Sequence, residues 1–176
     1  IGSRPINFHL NAFKKMGASI KVKNGYIIAS AKKGLKGCLI KFPKISVGAT
    51  ENVLIASCFS KGKTKLRNCA SEPEVGDLIN FLKKLGFKIN QVGKRSIDVL
   101  GLEKLKPTVH KVIFDRIEAG TYIIAAALTN GRIKITNVDP KIMLTEISLL
   151  KKMKVKIIEK KNYLIAKCSK KIKSIN

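Results

Sequence analysis

The sequence predicts an α/β protein assembled from a repeated helix–strand–helix–strand–strand unit, and three observations carry that prediction. First, a Lys-Lys pair followed by an apolar residue recurs in Lys14-Lys15-Met16-Gly17-Ala18-Ser19-Ile20, Lys83-Lys84-Leu85-Gly86-Phe87-Lys88-Ile89 and Lys151-Lys152-Met153-Lys154-Val155-Lys156-Ile157. These copies lie 69 and 68 residues apart. Second, two small-residue apolar helices, Ala49–Phe59 and Gly120–Leu128, are each followed by a glycine (Gly62, Gly131) and an alternating strand, Lys63–Asn68 and Arg132–Asn137. Third, each Lys-Lys segment opens an alternating hairpin: Ile20–Ala31 turning at Asn24-Gly25, Lys88–Leu100 around Gly93, and Val155–Ala166 around Lys161-Asn162.

Each element has a local cause. The lysine pairs fall in the last helical turn, where positive charge suits the helix dipole. Gly17 and Gly86 follow as C-terminal stops, whereas Lys154 stands at the third position, so that helix is expected to end differently. Ser71-Glu72-Pro73-Glu74 reads as a capping box with proline in the first turn, and Asp139-Pro140 as a cap followed by proline. A further strand is expected to approach each unit, Leu39–Phe42 in one and Val109–Phe114 in the next. The first copy lacks its front strand and helix, which leads to the expectation that the chain is an internal piece of a longer one.

Composition narrows the function. The 176 residues carry a formal charge of +25 and 45% hydrophobic residues, enough for one large or two small cores. No apolar run reaches the roughly 18 residues that span a bilayer, and no signal peptide is visible, so no membrane partner and a cytoplasmic location are expected. Dense lysine is one way to bind nucleic acid. Here, however, five Arg, 31 Lys and 24 Ile fit the codon balance of an A/T-rich genome. The lysines are scattered through every segment and aromatics for base stacking are few, which argues against a nucleic-acid partner. Cys38, Cys58, Cys69 and Cys168 form no C-x-x-C pair and have no histidine at zinc spacing, so buried free thiols and no metal are expected.

Four ordered patterns then point to a family. They are Ile1-Gly2-Ser3-Arg4-Pro5-Ile6-Asn7-Phe8-His9, Lys44-Ile45-Ser46-Val47-Gly48-Ala49-Thr50-Glu51-Asn52, Asn68-Cys69-Ala70-Ser71-Glu72-Pro73-Glu74-Val75 and Asp115-Arg116-Ile117-Glu118-Ala119-Gly120-Thr121. In this order and spacing the chain resembles the UDP-N-acetylglucosamine enolpyruvyl transferases over essentially its whole length. The resemblance implies an inside-out α/β barrel of βαβαββ modules, truncated at both ends, with residues 1–113 forming most of one domain and 114–176 beginning a second, similar one. It also implies transfer of the enolpyruvyl group of phosphoenolpyruvate to the 3-hydroxyl of UDP-N-acetylglucosamine, the first committed step of peptidoglycan synthesis. No cofactor is implied, and the remainder of the same polypeptide is the expected partner.

By the same resemblance, Arg4 contacts substrate phosphate, where a guanidinium fork matches phosphate oxygens. Pro5, Ile6, Asn7 and Phe8 cradle the uracil, although Asn7 stands where the family usually has Asp and Phe8 where Leu is usual. Lys44, Ile45, Ser46, Val47 and Gly48 meet the diphosphate, a cation before a helix start being apt for phosphate. Asp115 and Arg116 are candidates for closing the domains over substrate. Lone His9 and His110 read as structural. The family's loop cysteine and its aspartate base would lie outside the two ends, so no catalytic residue is expected in this chain. Three rivals stay open: the sister enzyme acting on shikimate 3-phosphate, a basic nucleic-acid-binding module, and a decayed gene remnant.

Overall fold

The computed structural model describes residues 6–101, 104–168 and 172–175. Two compact units partition the chain, Ile1–Lys111 and Val112–Asn176. The first contains α1 (Asn7–Lys15), β1 (Ser19–Lys23), β2 (Tyr26–Ser30), β3 (Leu39–Lys41), α2 (Val47–Cys58), β4 (Lys63–Arg67), α3 (Pro73–Lys84), β5 (Lys88–Gln91) and β6 (Ser96–Leu100). β1 and β2 form an antiparallel hairpin, closed by Asn24 (φ 51°) and Gly25 (φ 78°), the left-handed pair that a two-residue turn of matching twist requires. The remaining strands make one sheet in the order β3-β4-β6-β5, with β3 parallel to β4 and the other pairs antiparallel.

α2 is apolar on nearly every side, and it is accordingly the central helix, with Ala49, Thr50, Val53, Leu54, Ser57 and Cys58 buried. α3 is instead amphipathic and buries only Val75, Ile79 and Leu82, at helical spacing. The core they share with the sheet includes Phe42, Leu66 and Val99, all essentially inaccessible. Each such side chain stabilises the fold by ~1.5–3 kcal/mol relative to exposure. At Gly101 the backbone passes so close to Ser60 that a Cβ would sit 2.0 Å from its carbonyl oxygen.

The second unit repeats the second half of this plan. α4 (Arg116–Leu128) leads to β7 (Arg132–Thr136). A short 3-10 turn (Pro140–Met143) then runs into α5 (Leu144–Lys152), followed by β8 (Lys156–Lys160) and β9 (Tyr163–Lys167). The sheet order β7-β9-β8, antiparallel throughout, matches β4-β6-β5. Its own core gathers Ile123, Val138, Met143, Ile147 and Leu164.

The three junctions expected from the repeat are alike down to their hydrogen bonds. Ala18 N–H donates to Phe13 O (2.9 Å), Phe87 N–H to Leu82 O (3.2 Å) and Val155 N–H to Leu150 O (3.0 Å). In each, the preceding residue donates three positions back, from Gly17 to Lys14, Gly86 to Lys83 and Lys154 to Lys151. This paired arrangement needs a left-handed residue at the stop. Gly17 (φ 97°), Gly86 (φ 107°) and Lys154 (φ 70°) all supply it. The expectation that the third helix ends differently is therefore corrected: Lys154 adopts the glycine conformation, because the two bonds and the buried Met143–Ile147–Leu150 face hold the chain there.

Two other expectations change. The capping box at Ser71 does not form, because Pro73 pushes Glu72 into extended backbone (ψ 154°) and makes Glu72 the residue before the helix. The Glu72 carboxylate instead accepts from Ser71 N–H at 2.7 Å, and Glu74 contributes its charge to the first turn. Val109–Phe114 is not a strand. Its first residues are held on the first unit, where His110 Nε2 lies 3.0 Å from Asp77 Oδ1 and Lys84 Nζ donates to Val109 O at 3.4 Å. The cap at Asp139 does form, its carboxylate accepting from Lys141 N–H at 3.0 Å.

Candidate functional site

Arg4 and Pro5 lie outside the described residues. The rest of the expected substrate-binding set falls on two helix starts within the first unit. Ile6 is the uncapped residue before α1, Asn7 and Phe8 open the helix, and Phe8 packs its ring on the core. Lys44 and Ile45 are exposed in the loop between β3 and α2. Ser46 caps α2, accepting from Ala49 N–H at 3.3 Å, while Val47 packs inward and Gly48 faces outward.

The two starts meet although some 40 residues separate them in sequence. The Asn52 side-chain amide lies 2.9 Å from His9 Nδ1, within hydrogen-bonding distance. The His9 ring also lies 3.8 Å from the position a Cβ on Gly48 would take. Thr50 locks the second start from below: its hydroxyl donates to Ser46 O (2.8 Å) and accepts from Ala70 N–H (3.0 Å). Within the Ser46–Asn52 pattern, then, Ser46, Thr50 and Asn52 build the corner, and Gly48 leaves its outer surface uncovered.

The local chemistry of this corner is electropositive. The first N–H groups of a helix lack intrahelical partners, and the positive ends of two helix dipoles lie together here, with Lys44 beside them. Glu51, also on α2, has its pKa raised by burial and by the charge of Glu74.

His9 and Asn52 were the partners that sequence reasoning left unpaired. Both stand in the quoted patterns, but a side-chain bond across 43 residues has no signature in spacing. Asp115 and Arg116 are engaged inside the second unit. Asp115 caps α4, accepting from Ile117 N–H (2.8 Å) and Glu118 N–H (3.0 Å), and Arg116 pairs with Glu146 at 3.2 Å. Cys38 is partly exposed, and Cys58, Cys69 and Cys168 are buried. Burial pushes the Cys58 thiol up to about 12 and, against the nearby Arg67, the Cys69 thiol to about 11. Neither is an activated nucleophile. Among the described residues no group of His, Cys, Asp and Glu is arranged to hold a metal, and no helix is long and apolar enough to cross a membrane.

A repeated α/β module with two helix starts meeting at one corner defines a class of fold, and comparison with known proteins identifies the family. The family model described as EPSP synthase (3-phosphoshikimate 1-carboxyvinyltransferase) matches residues 1–176, and the chain belongs to that family. Among curated relatives it is similar to UDP-N-acetylglucosamine 1-carboxyvinyltransferases, 55% identical to that of Pelagibacter ubique (strain HTCC1062), 48% to that of Endomicrobium trichonymphae and 44% to that of Geotalea uraniireducens (strain Rf4). Each alignment covers all of this chain and 42% of the relative, so the chain spans well under half their length. Among solved structures, the enolpyruvyl transferase NikO from Streptomyces tendae matches with a TM-score of 0.81 and 24% identity, over 94% of this chain and 42% of that one. An EPSP synthase from Acinetobacter baumannii matches with a TM-score of 0.68 and 21% identity, over 98% of this chain and 41% of that one. These two establish the shared fold.

Proposed function

We propose that this chain supplies part of the UDP-sugar site of an enzyme that transfers the enolpyruvyl group of phosphoenolpyruvate to the 3-hydroxyl of UDP-N-acetylglucosamine, releasing phosphate. In this reading the enzyme serves peptidoglycan synthesis, and hence cell shape and division, in the cytoplasm. The observation that supports it most is the 44–55% identity to UDP-N-acetylglucosamine 1-carboxyvinyltransferases along all 176 residues. The meeting of the Ile6–His9 and Lys44–Asn52 segments at one corner agrees with it. Residues 1–113 are read as most of one enolpyruvyl transferase domain and 114–176 as the first part of the next.

The division of labour follows from the chemistry. Arg4 and Lys44 supply positive charge to the diphosphate, joined by the free N–H groups of Val47 and Gly48. Asn7 and Phe8 hold the base. Asp115 and Arg116 help close the second domain over substrate, with Arg116 already oriented by Glu146. Proton transfer and the departure of phosphate fall to groups elsewhere in the polypeptide.

The test is binding of UDP-N-acetylglucosamine to the purified chain, followed by NMR. Expected are shifts at Val47, Gly48 and His9, and affinity about tenfold weaker in Lys44→Ala than in Lys61→Ala. Shikimate 3-phosphate should leave these signals in place. If shikimate 3-phosphate moves them and the UDP-sugar does not, the sister activity is the right one. Equal losses in the two lysine variants would leave only non-specific charge attraction.

A further inference from the structure

Lysines that are scattered in sequence are gathered by strand pairing in the second unit. Alternation turns Ile133, Ile135, Ile157, Leu164 and Ala166 toward the core of that unit, so the residues between them form the opposite face of the sheet. The register sets Arg132, Lys167 and Lys156 side by side in one row across β7, β9 and β8. Lys134 stands one step along β7, and Lys160 takes the far corner on β8. Among these cations lie Ile165, Ile158 and Tyr163, with Ile158 53% accessible and Lys134 Nζ 4.6 Å from the centre of the Tyr163 ring.

The three strands put no carboxylate on this face. Glu159, their one acid, points to the helix side, where it pairs with Lys151 of α5. The first sheet differs at the equivalent place. There Asp98 lies opposite Lys65 and binds Lys63 and Arg67, whereas Ile165 lies opposite Lys134 here. The charge of the second face is therefore uncompensated. A face destined for cover by protein would strand five cations away from water, at a cost that contact with two isoleucines does not offset. This face fits instead a partner that stays wet and is itself negative.

We propose that this sheet face docks on an anionic membrane surface. The grid measures about 10 Å across the strands and about 13 Å along them, so one planar array of headgroups meets all five cations together. Each lysine or arginine near such a surface tightens binding about fivefold. Ile158 and Ile165 reach the outer edge of the hydrocarbon, and Tyr163 takes the level of the headgroups, with its ring against lipid and its hydroxyl in water. Lys134 lies along that ring and keeps its ammonium beside the lipid phosphates. The isoleucines favour a lipid surface over a nucleic-acid strand, to which they offer neither a stacking ring nor a hydrogen bond. Among the described residues no helix is long and apolar enough to cross a membrane, and this face requires no crossing. The proposal is independent of the UDP-sugar reading, since its test contains no nucleotide.

The experiment is sedimentation of the full chain with phosphatidylcholine vesicles carrying about 30% phosphatidylglycerol, against pure phosphatidylcholine, both at about 0.1 M salt. Binding to the anionic vesicles alone is expected. It should weaken about twentyfold in Lys156→Gln/Lys160→Gln and severalfold in Ile158→Ser. Lys61→Gln/Lys83→Gln removes the same charge from exposed positions of the first unit and should cost no more than about twofold. Ile158→Trp places the only tryptophan of the chain on the face, and its emission should move to shorter wavelength on the anionic vesicles. Equal losses in the two lysine pairs would reduce the binding to net charge and overturn the proposal, and so would an unmoved emission. Binding of poly(U) that Lys156→Gln/Lys160→Gln weakens and Ile158→Ser does not, with vesicles left unbound, would assign the face to nucleic acid and overturn it as well.

Discussion

Asp98 shows how a single residue sets conditions on the fold. It sits in β6, between β4 and β5, where Ile97, Asp98 and Val99 are all buried. A carboxylate there is tolerated because Lys63 Nζ approaches Oδ2 at 2.9 Å and Arg67 NH1 approaches Oδ1 at 2.8 Å. These two bonds, that from Lys63 first, hold its pKa below the usual carboxylate value. A lowered folded-state pKa contributes stability above the ordinary value of about 3.9, and that contribution is lost as pH falls from there through the folded value. Thermal unfolding of the first unit is therefore expected to drop below about pH 4, and Asp98→Asn should be less stable at pH 7 and flatter in that acidic range. A variant as pH-sensitive as the parent would show that other carboxylates govern. Nothing in Ser-Ile-Asp-Val-Leu foretold this, because alternation predicts an outward Asp. The partners come from β4, 31 and 35 residues earlier, and only strand pairing brings them together.

At the scale of elements, most of the order was legible. Hairpins and helix ends depend on neighbours within a few residues, so Asn24-Gly25, Asp139-Pro140 and the lysine pairs announced themselves. The failures were local rules overridden. Proline at 73 outranked the Ser71 capping box, and the hydrogen bonds of the third junction outranked the preference of Lys154 for negative φ. That second case carries a measurable strain. An L-residue in the left-handed region costs ~1–2 kcal/mol, partly offset by the extra unfolded-state freedom of glycine. Lys154→Gly is expected to stabilise the second unit by ~0.5–1 kcal/mol in urea unfolding, while Lys154→Ala gains nothing. A neutral or destabilising glycine would mean that the lysine side chain holds the junction through contacts of its own.

For the whole molecule, the sequence disclosed the module and its period. It did not disclose which edges close, because edge closure depends on segments far away or outside. β2 is exposed along its whole length, with Tyr26 76% and Ile28 53% accessible, and among the described residues β7 has no parallel neighbour of the kind β4 possesses. Unpaired apolar edges invite self-association, so the isolated chain should aggregate more readily at high salt, where its large positive charge is screened. The proposed site is similarly partial: paired helix starts beside Lys44 offer N–H groups and positive charge, and its proposed role is binding. Purified residues 1–176 are therefore expected to release no phosphate from phosphoenolpyruvate when UDP-N-acetylglucosamine is added, measured against a no-protein control. Sustained sugar-dependent release would reveal catalytic groups within this chain.

The left-handed stop at Lys154 has a consequence for how such a sequence changes with time. Lysine is written AAA or AAG and glycine GGN, so a change to glycine requires two base substitutions. The intermediate is arginine or glutamate, and neither relieves the backbone at φ 70°. Asn68, also left-handed, is different, because its side-chain amide donates to Phe42 O at 2.9 Å, a bond glycine could not make. Glycine at Lys154 is thus reached only by crossing a step that leaves the backbone strain in place. Strain of ~1 kcal/mol per site is small enough to be carried by a protein held just above its stability threshold. Of the three equivalent corners, Gly17 and Gly86 carry no such strain, and Lys154 alone does.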